Sequence, residues 1–379
     1  MAFAFGFTNE ELSDDDAESS STRFNSSTPA SKSINYKLDT YKVEEEHLPK
    51  VHTLESILKS LEGVRITFDY HKTTNDNIIY RRDLFDVKHQ IMMEDCDDKL
   101  DSKVVIKDEI KNIVIEKNDS DVQRNIYEGG FKSWECSYDT IDEIGKLMNQ
   151  YSGSTGFSLN ILNSSTLDLG CGTSLPSCYI LMKKFETKCE KSMKLILSDF
   201  NYDVLRLVTV PNLIINWAST LPSEDLQRLT TDEINSRFEA NELFITTNLI
   251  NEFLKQLKDS NTEIKLISGS WGKEFNDLVS KYHINFIISS ETIYSTVTLP
   301  IVAESIKIIL SDSATFFKNN GKTFMCLLAA KNIYFGVGGS IVEFLSHFKS
   351  ISDSKFKVEV KEIHDSQLKR SLVLIEYCP

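Results

Sequence analysis

The stretch from Ser164 to Cys178 reads SSTLDLGCGTSLPSC. Leu167 and Leu169 make it begin as a short apolar strand, which runs into Gly170-Cys171-Gly172 and then into a helix from Leu175 to Phe185. Two glycines two apart let the backbone turn sharply and let a ligand lie against it, since no Cβ intervenes. The helix behind the turn directs its free N–H groups and the positive end of its dipole toward whatever occupies it. Asp168 stands just before the turn. The dinucleotide fingerprint G-x-G-x-x-G would need a third glycine where Leu175 stands. The stretch is therefore either a ligand-holding turn of another kind or an ordinary strand-to-helix connection.

Strand and helix signals alternate on its C-terminal side. Lys194–Ser198 is a buried strand ending at Asp199, and a helix starts at Asn201. Thr209 to Asn212 reads as the turn that ends that helix, and Leu243 to Leu257 as a further helix. Ile264–Ser268, Ile284–Ser289 and Thr323–Ala329 read as three more strands, and Phe356–Ile363 with Leu372–Tyr377 as a closing pair. Such alternation predicts a mostly parallel sheet with helices on both faces. On the N-terminal side, YEGGFKSWECS (residues 127–137) gives a glycine turn, and Ile141, Ile144, Leu147 and Met148 share one face of the helix after it. The α/β domain is expected to span residues 126–379.

Residues 46–125 read as an extension and linker. Leu54, Ile57, Leu58 and Leu61 have helical spacing up to Gly63, and Val64–Tyr70 alternates as a strand does. Ile78–Lys88 is expected to be its hairpin partner, and Met93–Arg124 a polar linker. Residues 1–45, rich in Ser, Thr, Asn and acidic side chains, are expected to be disordered, with Phe3, Phe5 and Phe7 as a docking peptide or a loose end. The formal net charge of -14 disfavours binding to a nucleic-acid backbone and attracts a basic protein partner. Seven cysteines with no C-x-x-C pair predict a reducing compartment, without zinc or disulfides. Neither a membrane-spanning apolar run nor a signal peptide is seen, so a soluble intracellular protein is expected.

In open α/β sheets the crevice lies beyond the carboxyl ends of the strands. An acidic residue at the end of the second strand accepts hydrogen bonds from ribose hydroxyls in such folds, which is the role favoured for Asp199 over a helix cap. Trp271 and Trp134 are either purine-stacking rings or core. Glu291 and Tyr294, after the fourth strand, are placed to line the reacting end of the crevice; the alternative is a helix start with Ser290 as cap.

Together these pieces resemble the seven-strand, Rossmann-like methyltransferases that use S-adenosylmethionine. Glu291-Thr292-Ile293-Tyr294 matches the D/E-x-x-Y motif of those that methylate lysine or histidine in proteins. YEGGFKSWECS, LDLGCGTS, VTVPN, SGSWG, SSETIY and AAKNIYFGVGGS, with RRDLFDVKHQ and the FAFGF start, resemble as a set the eukaryotic protein-histidine methyltransferases that modify a large-subunit ribosomal protein. Ser270 departs from relatives that carry an acidic residue before the tryptophan. The resemblance implies a seven-strand sheet with an antiparallel terminal hairpin. It implies S-adenosylmethionine held by Trp134, Asp168, Leu169, Gly170, Cys171, Gly172, Asp199, Val210, Pro211, Asn212, Gly269, Ser270, Trp271 and Ser290, with Glu291 and Tyr294 catalytic and no metal. It further implies a monomer of cytoplasm and nucleus that methylates the tele nitrogen of a histidine in ribosomal protein L-three, with Lys331–Ser340 as a mobile substrate loop. A lysine methyltransferase of the same fold and a non-enzymatic S-adenosylmethionine-binding escort are the competing readings.

Overall fold

The computed structural model describes residues 36–96, 126–152, 159–231, 237–318, 322–364 and 368–378. Eleven strands occur among them: β1 (Lys50–His52), β2 (Arg65–Lys72), β3 (Ile78–Arg82), β4 (Ser165–Leu169), β5 (Met193–Asp199), β6 (Glu242–Phe244), β7 (Thr262–Ser268), β8 (Phe286–Ser290), β9 (Phe324–Lys331), β10 (Phe356–Ile363) and β11 (Arg370–Tyr377). Eight form one sheet in the order β1-β7-β5-β4-β8-β9-β11-β10. The five from β7 to β9 run parallel, while β11 and β10 close one side antiparallel. Without β1 this is the seven-strand, Rossmann-like methyltransferase sheet with its terminal hairpin.

The parallel strands are apolar on both sides because helices cover both faces. On β5, Leu195 and Leu197 enter one apolar layer and Ile196 the other; on β9, Met325, Leu327 and Ala329 alternate with Cys326, Leu328 and Ala330 in the same way. β4 lies between β5 and β8, where the chain's winding reverses. That reversal opens a crevice at the carboxyl ends of β4 and β8.

Several segments differ from expectation. The hairpin partner of β2 stops at Arg82, and Leu84–Cys96 is a helix. Asp83 starts it by accepting the Phe85 N–H at 2.8 Å, a local polar tie that outweighs the apolar run. Glu242–Phe244 is strand rather than helix, pairing with β2, and the helix Thr247–Asp259 begins only where Thr246 caps the Leu249 N–H. The linker from residue 97 onward lies outside the described residues, as do residues 1–35 with Phe3, Phe5 and Phe7. Residues 36–45, expected to belong to the loose tail, lie against the domain with Leu38 buried.

Thr209 to Asn212 is not a turn. Residues 202–218 are helical throughout, with one widened π turn at Leu205–Thr209 and Pro211 in the first turn of Val210–Ala218. Pro211 has no N–H to give the carbonyl four residues back, that of Leu207. The Leu207 oxygen instead accepts from the buried Arg82 guanidinium at 2.7 Å. The widened turn is the local cost of placing a proline inside a helical run.

Candidate active site

A cleft of ≈ 1000 Å³ opens at the carboxyl ends of the central strands. The glycine turn forms its floor. Gly170 and Gly172 have φ of +73° and +49°, and Ser174 is left-handed at +54°. A Cβ on Gly170 would lie 2.7 Å from Thr292 Cγ2 and 3.0 Å from the Trp271 ring, so its missing side chain makes room for protein across the cleft. A Cβ on Gly172 would lie 3.2 Å from the Gly130 oxygen, and one on Gly130 would lie 2.8 Å from Val204 and 3.1 Å from Asp199 Oδ2. The glycines of YEGG and of LDLGCG thus stack backbone on backbone.

Asp168 and Asp199 hold this turn. Asp168 Oδ2 accepts from Ser177 Oγ at 2.6 Å and Ser174 Oγ at 3.1 Å, tying the strand end to the helix start. Asp199 Oδ2 accepts from the Gly172 N–H at 3.0 Å, and its Oδ1 from the Asn201 N–H at 3.0 Å. Asp199 therefore ties down Asn201, the residue that leads into the following helix, and braces the glycine turn while lining the cleft. Burial raises each carboxyl to about 6. From behind, Thr209 Oγ1 donates to the Gly172 oxygen at 2.6 Å and Asn212 Nδ2 to the Thr173 oxygen at 2.8 Å. Val210, Pro211 and Asn212 are buried in their helix, and neither they nor Leu169 lie among the residues lining the cleft. The structure thus makes 209–212 a buttress for the turn rather than a wall of the site.

Trp134, Asp168, Gly170, Cys171, Gly172, Asp199, Gly269, Ser270, Trp271, Ser290, Glu291 and Tyr294 all line the cleft. Trp134 Nε1 donates to the Gly129 oxygen at 3.1 Å, and Lys331 Nζ sits 5.0 Å above the Trp134 ring.

The segment after β8 is not a helix start: Glu291 has φ +58°, a left-handed conformation that costs energy in a residue with a long side chain. Its N–H is fixed by the Ala329 oxygen at 2.8 Å. Tyr334 O–H donates to Glu291 Oε2 at 2.5 Å, while Oε1 is buried with no hydrogen-bond partner, Lys331 Nζ lying 3.9 Å away. Burial and the Glu291 charge push the Tyr334 phenol and the Cys136 thiol well up, so both stay protonated beside the carboxylate. Tyr294 donates to the Glu128 carboxylate, and its ring stands edge-on to Tyr334 with centroids 6.4 Å apart.

The 331–340 loop, expected to be mobile, is tied at its base. Gly339 N–H donates to the Tyr294 oxygen and Tyr334 N–H to the Gly339 oxygen, each at 2.9 Å. A Cβ on Gly339 would lie 2.0 Å from the Ile293 oxygen. The tip stays exposed, with Phe335 at 84%. Sequence reasoning assigned no role to Tyr334, Glu128, Lys331, Gly130 or Tyr41. Tyr334 and Lys331 stood in the loop quoted for the resemblance and Glu128 and Gly130 in YEGG, but nothing there pairs them with Glu291, Tyr294 or Gly172.

S-adenosylmethionine fits this donor set. Among the cleft-lining residues, Trp271 Nε1, Ser290 Oγ and Glu291 Oε1 are buried with no hydrogen-bond partner among the described residues. Buried polar atoms are ordinarily paired, so orphans gathered in one cleft point to a polar ligand.

No family model matches the chain. It is similar to Histidine protein methyltransferase 1 of Saccharomyces cerevisiae, 35% identical over 396 residues that cover 99% of this chain and 98% of the relative. It is also similar to the protein of the same name in Schizosaccharomyces pombe, 30% identical over 86% of this chain and 83% of that one. A Histidine protein methyltransferase 1 homolog of Rattus norvegicus is 27% identical over 77% of this chain and 75% of its own length. Among solved structures, rRNA methyltransferase aviRa from Streptomyces viridochromogenes covers 69% of this chain with 94% of its own, at 12% identity and a TM-score of 0.37, too slight a likeness to argue from.

Proposed function

The chain belongs to the histidine protein methyltransferases, and from that premise we propose that it methylates the tele nitrogen of a histidine in large-subunit ribosomal protein L-three, in cytoplasm and nucleus, using S-adenosylmethionine. When bound, S-adenosylmethionine supplies a methyl group already activated on a sulfonium. The chain's task is then alignment more than strong base catalysis. A neutral imidazole suffices as nucleophile, and its unperturbed pKa of about 6.5 leaves it mostly neutral near pH 7.

Only the ring nitrogen without a hydrogen can attack. For the tele nitrogen to react, the other must keep its proton. Glu291 accepts a hydrogen bond from that N–H, which selects the tautomer and orients the ring. Taking up the methyl group that bound S-adenosylmethionine would supply, the imidazole would gain a positive charge. The Glu291 carboxylate stabilises that charge, an interaction stronger in the transition state than before it. Tyr334 holds one carboxylate oxygen still, and Tyr294 with Trp134 walls the pocket.

The observation that carries this reading is the buried Oε1 of Glu291 beside the cleft, which has no hydrogen-bond partner among the described residues and only Lys331 Nζ at 3.9 Å. Mass spectrometry of ribosomal proteins from cells with and without this protein tests it. Loss of one histidine methyl group from L-three supports the reading, and an unchanged L-three contradicts it.

A further inference from the structure

Residues 36–49 follow a path that the fold alone does not require. At one end the Lys37 and Leu38 N–H groups donate to the two oxygens of Glu304, at 2.9 and 2.8 Å. Glu304 is fully buried in the helix Thr298–Phe316, and His347 Nε2 lies 3.1 Å from its Oε1. At the other end the His47 oxygen accepts the Ser270 N–H at 2.8 Å. Between the two anchors Tyr41 lines the cleft.

The segment lies flush on the turn after β7. Gly269 has φ +119°, and a Cβ there would lie 2.9 Å from the His47 oxygen and 2.8 Å from that of Leu48. A Cβ on Gly272 would lie 2.9 Å from Val43 and 3.9 Å from the Tyr41 ring. The His47 ring also packs on Phe200, itself a cleft residue, at 5.0 Å between centroids. A hydrogen-bonded turn, Tyr41 N–H to the Lys37 oxygen at 2.9 Å, ties the Tyr41 backbone to the Glu304 anchor.

We propose that this strap completes the cofactor site: Tyr41 contacts the adenosine end of S-adenosylmethionine, and Glu304 is the positioning residue that holds it there. The inference rests on the reading of the cleft as an S-adenosylmethionine site. On that reading Asp199 and the Gly269–Trp271 turn hold the adenosine, and the strap lies on that same turn. Tyr41 offers an aromatic face with a polar tip at that end, a surface suited to a purine or ribose.

Calorimetric titration of the full-length protein with S-adenosylmethionine tests this. Tyr41→Ala is expected to weaken binding roughly 10-fold or more, the range of one base–aromatic contact, and Tyr41→Phe to keep most of it. Glu304→Gln, which can no longer accept both backbone N–H groups, is expected to weaken cofactor binding as well. Combining it with Tyr41→Ala should then add little, since both act through one contact. Wild-type affinity in Tyr41→Ala would overturn the inference alone. A wild-type protein that does not bind S-adenosylmethionine would overturn the cofactor reading and the inference with it.

Discussion

Glu291 combines a left-handed backbone, a pinned N–H and a carboxylate with one oxygen held by Tyr334 and the other without a hydrogen-bond partner among the described residues. A residue held in a costly conformation by its surroundings is the pattern of a pre-organised functional group. Tyr334→Phe removes the hydroxyl that holds Oε2 and keeps the ring. Turnover is expected to fall about 10-fold, the lower end for the loss of one hydrogen bond to a charged group, while calorimetry finds S-adenosylmethionine affinity unchanged. Asp199 gives a pH prediction. Burial raises its carboxyl to about 6, so it is ionised at pH 7 and takes a proton as pH falls through 6. On the proposed role of Asp199, the proton would remove acceptor capacity that ribose hydroxyls need. Cofactor affinity should therefore hold above pH 7 and weaken below 6, and Asp199→Asn should be weaker and flatter across that range. Asp168 titrates in the same window, so the observed midpoint belongs to the pair. Glu291 was legible in the sequence because it follows a buried apolar strand in a fold whose crevice lies at strand ends. Tyr334 was not, because its bond to Glu291 spans 43 residues.

At the level of elements, the buried parallel strands were legible because strands covered on both faces are apolar runs of a few residues. The segments misread were those decided by a single polar contact. Asp83 turned an expected strand into a helix, and Thr246 delayed a helix by several residues. Pro211 suggested a helix end, yet Arg82, contributed by β3, satisfies the carbonyl that the proline leaves free. Arg82 also donates to Asp86 at 2.7 Å and to Gln90 at 2.6 Å. Arg82→Ala strands the buried Leu207 oxygen and leaves those partners unpaired. It is expected to lower unfolding stability by about 3 kcal/mol, the lower end for breaking a buried charged network. Urea unfolding followed by circular dichroism checks it, and a loss below about 1 kcal/mol, within the range of an ordinary hydrogen bond, would show that the helix does not depend on the Arg82 guanidinium.

At the scale of the whole molecule, the parallel run of the main sheet matches what the alternation of elements led one to expect, and its antiparallel closing pair what the resemblance implied. The added edge strand β1 and the docked residues 36–45 did not show in the sequence. Their ties are mostly backbone groups: the Lys37 and Leu38 N–H groups donate to Glu304, the His47 oxygen accepts from the Ser270 N–H, and β1 pairs with β7; backbone contacts leave no trace in residue type. The formal charge of -14 gives a prediction at this scale. A basic protein substrate is drawn by that field, and salt screens it over about 10 Å at 0.1 M. Raising ionic strength from 0.05 to 0.5 M, about a threefold change in screening length, should raise KM for the protein substrate several-fold. S-adenosylmethionine affinity should change far less, because its contacts are short and enclosed. Equal salt dependence of the two would contradict a charge-steered protein substrate.

The central claim is that Glu291 acts on the substrate imidazole in the transition state. Cofactor affinity and the single-turnover methylation rate, measured on the same preparation of Glu291→Gln, test it most directly. The amide keeps the shape and the acceptor oxygen but not the charge that answers the imidazolium as it forms. Wild-type affinity for S-adenosylmethionine is expected, with a single-turnover rate lower by at least ~100-fold, the scale on which one pre-organised polar contact matters in catalysis. An unchanged rate at saturating cofactor, or a loss confined to cofactor binding, would contradict it.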